Sequence, residues 1–194
     1  MAQSSADLKT EAFKTPLEFQ RWLAEHHPTS PGIWMAIARK RPGAETLSYS
    51  DALDIALCYG WIDGQKKPGD TDAWFQKFTP RRPRSRWSKL NVQRAERLIA
   101  SGRMRAAGRR AVDAAKADGR WARAYDSPGA MVLPEDFLAE AAKVPAAAAV
   151  VKTLDRRNIY AIAYRLQDAK RPETRAKRMR EFLDLLAQGR RPFA

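Results

Sequence analysis

The stretch SYSDALDIALCYGWIDGQKK, residues 48–67, decides the fold. Ser48 followed three residues later by Asp51 is a variant of the capping box, with Asp where Glu or Gln is usual. The helix it starts runs from Tyr49 to Tyr59 and carries Ala52, Leu53, Ile55, Ala56, Leu57 and Cys58. Apolar residues cover it nearly all round, and a helix of that kind has to be buried. It is therefore expected at the centre of the core, with Gly60 as its left-handed stop. Beyond it, Trp61–Lys67 and Trp74–Thr79 read as two strands around a turn at Pro68-Gly69-Asp70. In the second of them Trp74, Gln76 and Phe78 point one way, and Phe75, Lys77 and Thr79 the other.

Upstream, Thr15 is the expected cap of a first helix, with Pro16 at its first position. His26-His27-Pro28 ends that helix, because the residue before a proline avoids the helical region. Ile33–Ala38 is short and apolar and is followed by a turn at Pro42-Gly43, which suits a buried strand. Downstream everything reads as helix: Ser88 to Ala100, Met104 to Ala117, and four more between Pro134 and Ala187. Trp87, before the Ser88 cap, can pack on Val92 as a hydrophobic staple. Ala176, Met179, Leu183 and Leu186 mark the apolar face of the last helix. The expected class is α+β, predominantly helical, with a small antiparallel sheet of about three strands and a C-terminal helical unit. Asp126–Ala130 is the expected linker between a core of residues 13–127 and a helical unit of residues 131–194.

The chain has 194 residues, of which 44% are hydrophobic, including six Trp, seven Phe and five Tyr. That is enough to build a core without disulfides. One cysteine fits a reducing compartment. The N-terminal residues lack the apolar core of a signal peptide, and no apolar run approaches bilayer length, so a cytoplasmic location is expected. Thirty-six Lys plus Arg against 22 Asp plus Glu give a net charge of +14. Such a charge concentrates anions and steers polyanions toward the surface.

Several stretches together resemble the YdeI/OmpD-associated bacterial family, also labelled bacteriocin-protection. They are residues 56–67, residues 78–91, Gly102-Arg103-Met104, residues 115–121 and residues 169–175, and the likeness runs from about Phe13 to Gly189. The resemblance implies membership and a helical C-terminal domain over about residues 134–192. By its name it also implies a stress role, such as tolerance of antimicrobial peptides. It implies no catalytic residue set.

Between Arg81 and Arg110 lie eleven basic groups and one acid, Glu96. Pro80 and Pro83 keep the first part extended. An arginine run that leads into a helix N-terminus is a reasonable seat for phosphate. Arg81, Arg82, Arg84, Arg86 and Lys89 are the candidate anion or nucleic-acid ligands. Trp87 is either a base-stacking ring or the buried staple. Arg175 and Arg178 form a second basic group, which helix chemistry also explains. Asp63, Gly64, Gln65 and Lys66 could instead line a small polar pocket for an anionic substrate, or simply form a helix–strand junction. Cys58 reads as a buried hydrophobe. The two histidines, adjacent at a helix end, make no metal site, and no nucleophile or phosphate-loop motif is present. The expected function is therefore a non-enzymatic binder of nucleic acid or another polyanion, without a cofactor. The alternative is an enzyme acting on a small anionic substrate around Asp63–Lys66.

Overall fold

Side-chain caps mark several of the helix starts in the computed structural model, which describes residues 8–39, 47–127 and 129–193. Among the described residues there are four strands and eight helices: β1 (Thr10–Ala12), α1 (Pro16–His26), β2 (Ile33–Ala38), α2 (Tyr49–Cys58), β3 (Trp61–Pro68), β4 (Ala73–Pro80), α3 (Lys89–Ala100), α4 (Ala106–Ala117), α5 (Glu135–Ala142), α6 (Pro145–Val151), α7 (Arg156–Gln167) and α8 (Pro172–Ala187). Thr15 Oγ1 accepts from Glu18 N at 3.2 Å to open α1. Ser48 Oγ accepts from Asp51 N at 3.1 Å to open α2. Gly60 ends α2 at φ 75°, a left-handed conformation that costs side-chain-bearing residues energy. The turn expected at Pro42-Gly43 and Pro128 of the expected linker lie outside the described residues.

The sheet corrects the expectation of three antiparallel strands. It has four strands in the order β1-β2-β4-β3 and is mixed. β2 pairs antiparallel with β4, and β4 with β3, as a hairpin. β1, only three residues long, pairs parallel with β2, Thr10 against Trp34. Its TEA sequence is too short and too polar to show a strand pattern. It joins because α1 carries the chain back to lie alongside, the connection a parallel pair requires.

The chain divides into two compact units, one of Met1–Trp87 with Asn91–Arg123, the other of Ser88–Leu90 with Ala124–Ala194. In the first, Phe19, Leu23, Met35, Leu57, Trp61 and Phe78 are fully or almost fully buried. Each such side chain contributes about 1.5–3 kcal/mol of apolar burial. Phe19 and Trp22 of α1 meet Phe78 and Trp61 of the sheet at centroid distances of 5.8 Å each. Asp54, almost buried on α2, pairs with Arg94 at 2.6 Å and Arg97 at 3.3 Å, which ties α3 to α2.

Helix α4 closes on the C-terminal end of α2 by backbone contact. Gly108 is buried, and a Cβ there would stand inside the van der Waals space of the Leu57 and Cys58 carbonyl oxygens and the Met104 sulfur. The second unit is four helices around Phe137, Ala147, Ile162, Leu166, Phe182 and Leu186. Arg175 Nη2 donates to Asp136 Oδ1 at 2.9 Å and Nη1 to the other oxygen, a two-pronged clamp of α8 on α5. Ala176, on the expected apolar face of α8, is exposed, whereas Met179 and Leu183 are half-buried.

Gly108→Val should destabilise the chain by at least about 2 kcal/mol through overpacking against α2, read as a lowered midpoint in chemical denaturation. The hydrogen bonds from Arg175 hold the Asp136 carboxyl below the usual carboxylate range, and those from the Asn158 backbone and side-chain amides do the same for Asp155. A depressed folded-state value stabilises above the unfolded value of about 3.9 and is lost as pH falls toward the folded one. Stability should therefore drop on acidification below about pH 4, and Arg175→Met should flatten that dependence in acid titrations followed by circular dichroism.

Candidate functional site

The corner at the end of α2 collects the basic segments of the first unit. Gly60 O accepts from Arg81 N at 2.9 Å, where the arginine-rich loop leaves β4. Cys58 O accepts from Arg105 N at 3.2 Å, at the start of α4. A Cβ on Gly60 would meet the Ala107 carbonyl at 3.0 Å and the Ala111 Cβ at 3.7 Å, so Gly60 rests on the first turns of α4. The far end of the loop is held at the other end of the same helix. Arg120 Nη1 donates to Ser85 O at 2.8 Å, while its Nε donates to both carboxylate oxygens of Asp118. The Trp87 ring lies 4.8 Å from that of Trp121. Residues 81–87 therefore run along α4 from one end to the other.

Within this frame the eleven basic groups separate into two kinds. Arg81 stacks its guanidinium 3.5 Å from the Trp87 ring centre and donates to Arg86 O. Arg94 and Arg97 are held by Asp54. Lys89 pairs with Asp126 at 2.7 Å within the second unit, and Arg86 is half-buried with a partner of its own. The side chains of Arg82, Arg84, Arg103, Arg105, Arg109 and Arg110 are exposed and form no ion pair among the described residues. Arg105 stands at the N-cap of α4 and gives it no side-chain cap. The positive end of the helix dipole thus adds to the potential beside these arginines.

Trp87 corrects its reading as a base-stacking ring. It is 2% exposed, covered by Arg81 on one side and Trp121 on the other, and serves as core. Arg175 and Arg178 belong to the second unit. Arg175 is consumed by Asp136, and Arg178 donates to the Arg165 carbonyl and to Asp168. The solvent-facing arginines of the α3–α4 corner belong to the run of eleven but lie outside the candidate set read from the sequence. Acids near them in the chain are few: Glu96 is the one between Arg81 and Arg110, and Asp113 follows Arg109 by four residues on α4.

The Asp63–Lys66 motif is a β-bulge. Asp63 faces Phe78 and Lys66 faces Gln76, so β3 advances three residues while β4 advances two. The extra residue turns Lys66 to the same face as Asp63. Gln76, fully buried, donates from Nε2 to the carbonyls of Gly64 at 2.9 Å and Gln65 at 3.2 Å, which holds the bulge. Tyr49 Oη donates to Asp63 Oδ2 at 2.6 Å. Lys66 Nζ sits 4.7 Å from the Trp74 ring centre and 5.5 Å from that of Tyr49. Burial and the Asp63 carboxylate push the Tyr49 hydroxyl well above its ordinary range, against a smaller pull from Arg94. A Cβ on Gly64 would meet only the Lys77 side chain, at 3.7 Å, so no close approach demands glycine there.

Residues 11–111 match a family described as a domain of unknown function, DUF8412, and residues 130–189 match the family described as "Bacteriocin-protection, YdeI or OmpD-Associated". The chain belongs to the DUF8412 family and carries a YdeI/OmpD-associated domain. The resemblance read from the sequence holds for the second domain, where residues 169–175 lie. The stretches 56–67 and 78–91 fall within DUF8412. No curated protein and no solved structure matches the chain significantly. Among the described residues of this DUF8412 protein there is no cluster of His, Cys, Asp and Glu fit for a metal ion. No helix among them is long and apolar enough to cross a membrane.

Cys58 lines a crevice of about 50 Å³ with Gln20, Ile55, Tyr59, Arg103 and Arg105. Burial pushes its thiol up to about 11, although Arg103 and Arg105 pull the other way. A thiol so protonated is a poor nucleophile. Ellman's reagent at pH 8 should leave the native protein unlabelled and titrate one thiol after denaturation.

Proposed function

We propose that this protein binds a polyanion, with nucleic acid as the leading candidate, through the α4 side of its first unit. The observation that carries the reading is the shared anchorage of two basic segments. Arg82 and Arg84 leave from Gly60, and Arg103, Arg105, Arg109 and Arg110 surround the start of α4, which is docked on Cys58 and Gly60. Six unpaired guanidinium groups on one short frame repel one another, and that repulsion is relieved when phosphates replace their counterions. Guanidinium forks match phosphate oxygens in geometry as well as charge. Arg81, Arg86 and Trp87 position the loop, and Lys89, Arg175 and Arg178 are tied up within the second unit. The alternative, a small anionic substrate held at Asp63–Lys66, has less support because Tyr49, Gln76 and Trp74 already engage those groups. A part in tolerance of antimicrobial peptides, which the family description suggests, would operate through this surface acting on an anionic partner rather than on the cationic peptide.

Binding of a labelled single strand and of a duplex, followed by anisotropy from 20 to 300 mM salt, tests the reading. Affinity should fall with log–log slopes of about −0.7 and −0.9 per phosphate contact respectively. Arg109→Ala with Arg110→Ala should make the slope shallower by about two contacts, whereas Arg175→Ala should leave it unchanged. Absence of binding at the lowest salt, or a slope indifferent to all six arginines, overturns the proposal.

A further inference from the structure

A recess of about 420 Å³ lies in the first unit between β1, the end of α1 and the loop leading to β2. That size is within the range of small-molecule sites. Lys9 and Glu11 stand two residues apart on the β1 segment, so both side chains project from one face, and both line the recess. Neither side chain has an ion partner among the described residues. They give it a cation and an anion side by side, with no net charge between them, in a chain of +14. Part of the lining is aromatic. Trp22 packs at 5.8 Å against the buried Trp61, and beside it the His26 ring stands edge-on at a centroid distance of 4.9 Å. Ser30 and Pro31 close the rim. Hydrogen bonds shape the loop: Thr29 N and Ser30 N both donate to His26 O, and Gly32 N donates to Ser30 Oγ.

We propose that this recess binds a small zwitterion bearing a planar ring, the chemistry of a free aromatic amino acid. The ring lies against Trp22 and His26, the ligand ammonium meets Glu11 and its carboxylate meets Lys9. A simple anion finds Glu11 in its way, which separates this site from the arginine surface and makes the two readings independent.

The chain contains two histidines, so their proton resonances report the site in the intact protein. His26 lines the recess, whereas the His27 ring nitrogen Nδ1 lies 2.8 Å from Leu23 O. L-phenylalanine, phenethylamine and 3-phenylpropionate serve as probes, with the His26 signal assigned through His26→Gln. Phenylalanine should shift His26 saturably and bind more tightly than either fragment. Glu11→Gln should weaken phenylalanine and phenethylamine at least about fivefold and spare phenylpropionate; Lys9→Met should weaken phenylalanine and phenylpropionate and spare phenethylamine. Lys9 is exposed and Glu11 half-buried, both without an ion partner among the described residues, and circular dichroism checks that the fold is retained. No saturable shift at millimolar ligand, or equal responses of both variants to all three probes, overturns the assignment.

Discussion

The first unit depends on one constraint, the close approach of α4 to the last turn of α2. A helix can come that near to another helix's terminal carbonyls only where it presents no side chain, and Gly108 is where α4 does so. The carbonyls of α2 that a helix end leaves without intrahelical partners then find donors. Cys58 O, at the end of α2, takes the Arg105 amide, and Gly60 O, just beyond the helix, takes that of Arg81. Satisfying the polar end of a buried apolar helix is thus the same event as docking the two arginine-bearing segments. The chemistry of the surface follows from the needs of the core.

The charges obey a similar division of labour. Asp54 is nearly buried and would be costly to leave alone, so it draws two arginines from α3. Asp118 and Asp136 take one each from Arg120 and Arg175. Six further arginines of the first unit, Arg82, Arg84, Arg103, Arg105, Arg109 and Arg110, form no ion pair among the described residues and lie in the loop after β4 and around the start of α4. Net charge alone says nothing of this arrangement, because it counts the structural and the free guanidinium groups alike.

Local rules in the sequence account for much of the architecture. The Thr15 and Ser48 caps, the Gly60 stop, the Ile33–Ala38 strand and the β3–β4 hairpin follow from residue types within a few positions of one another. The parallel pairing of β1 does not, since three residues of mixed polarity carry no periodic signal and join only once α1 returns the chain. Pairing partners across 40 residues, such as Asp54 with Arg94, were equally out of reach. At the proposed surface the run of arginines was visible, but which were free was not. Trp87 shows why: exposure of an aromatic ring depends on what folds over it, here Arg81 and Trp121.

The bulge in β3 separates two kinds of variation that are usually lumped together. Positions 64 and 65 are exposed, and Gln76 holds them by their carbonyl oxygens, which every amino acid possesses. Their identities are therefore free to drift. Their number matters in another way. Deleting one of them would leave Asp63 opposite Phe78 and Lys66 opposite Gln76, with two residues advancing on each strand, so Lys66 would keep its place against Trp74. What would be lost is the bend and added twist of a bulge, together with one of the two β3 carbonyls that the buried Gln76 amide holds.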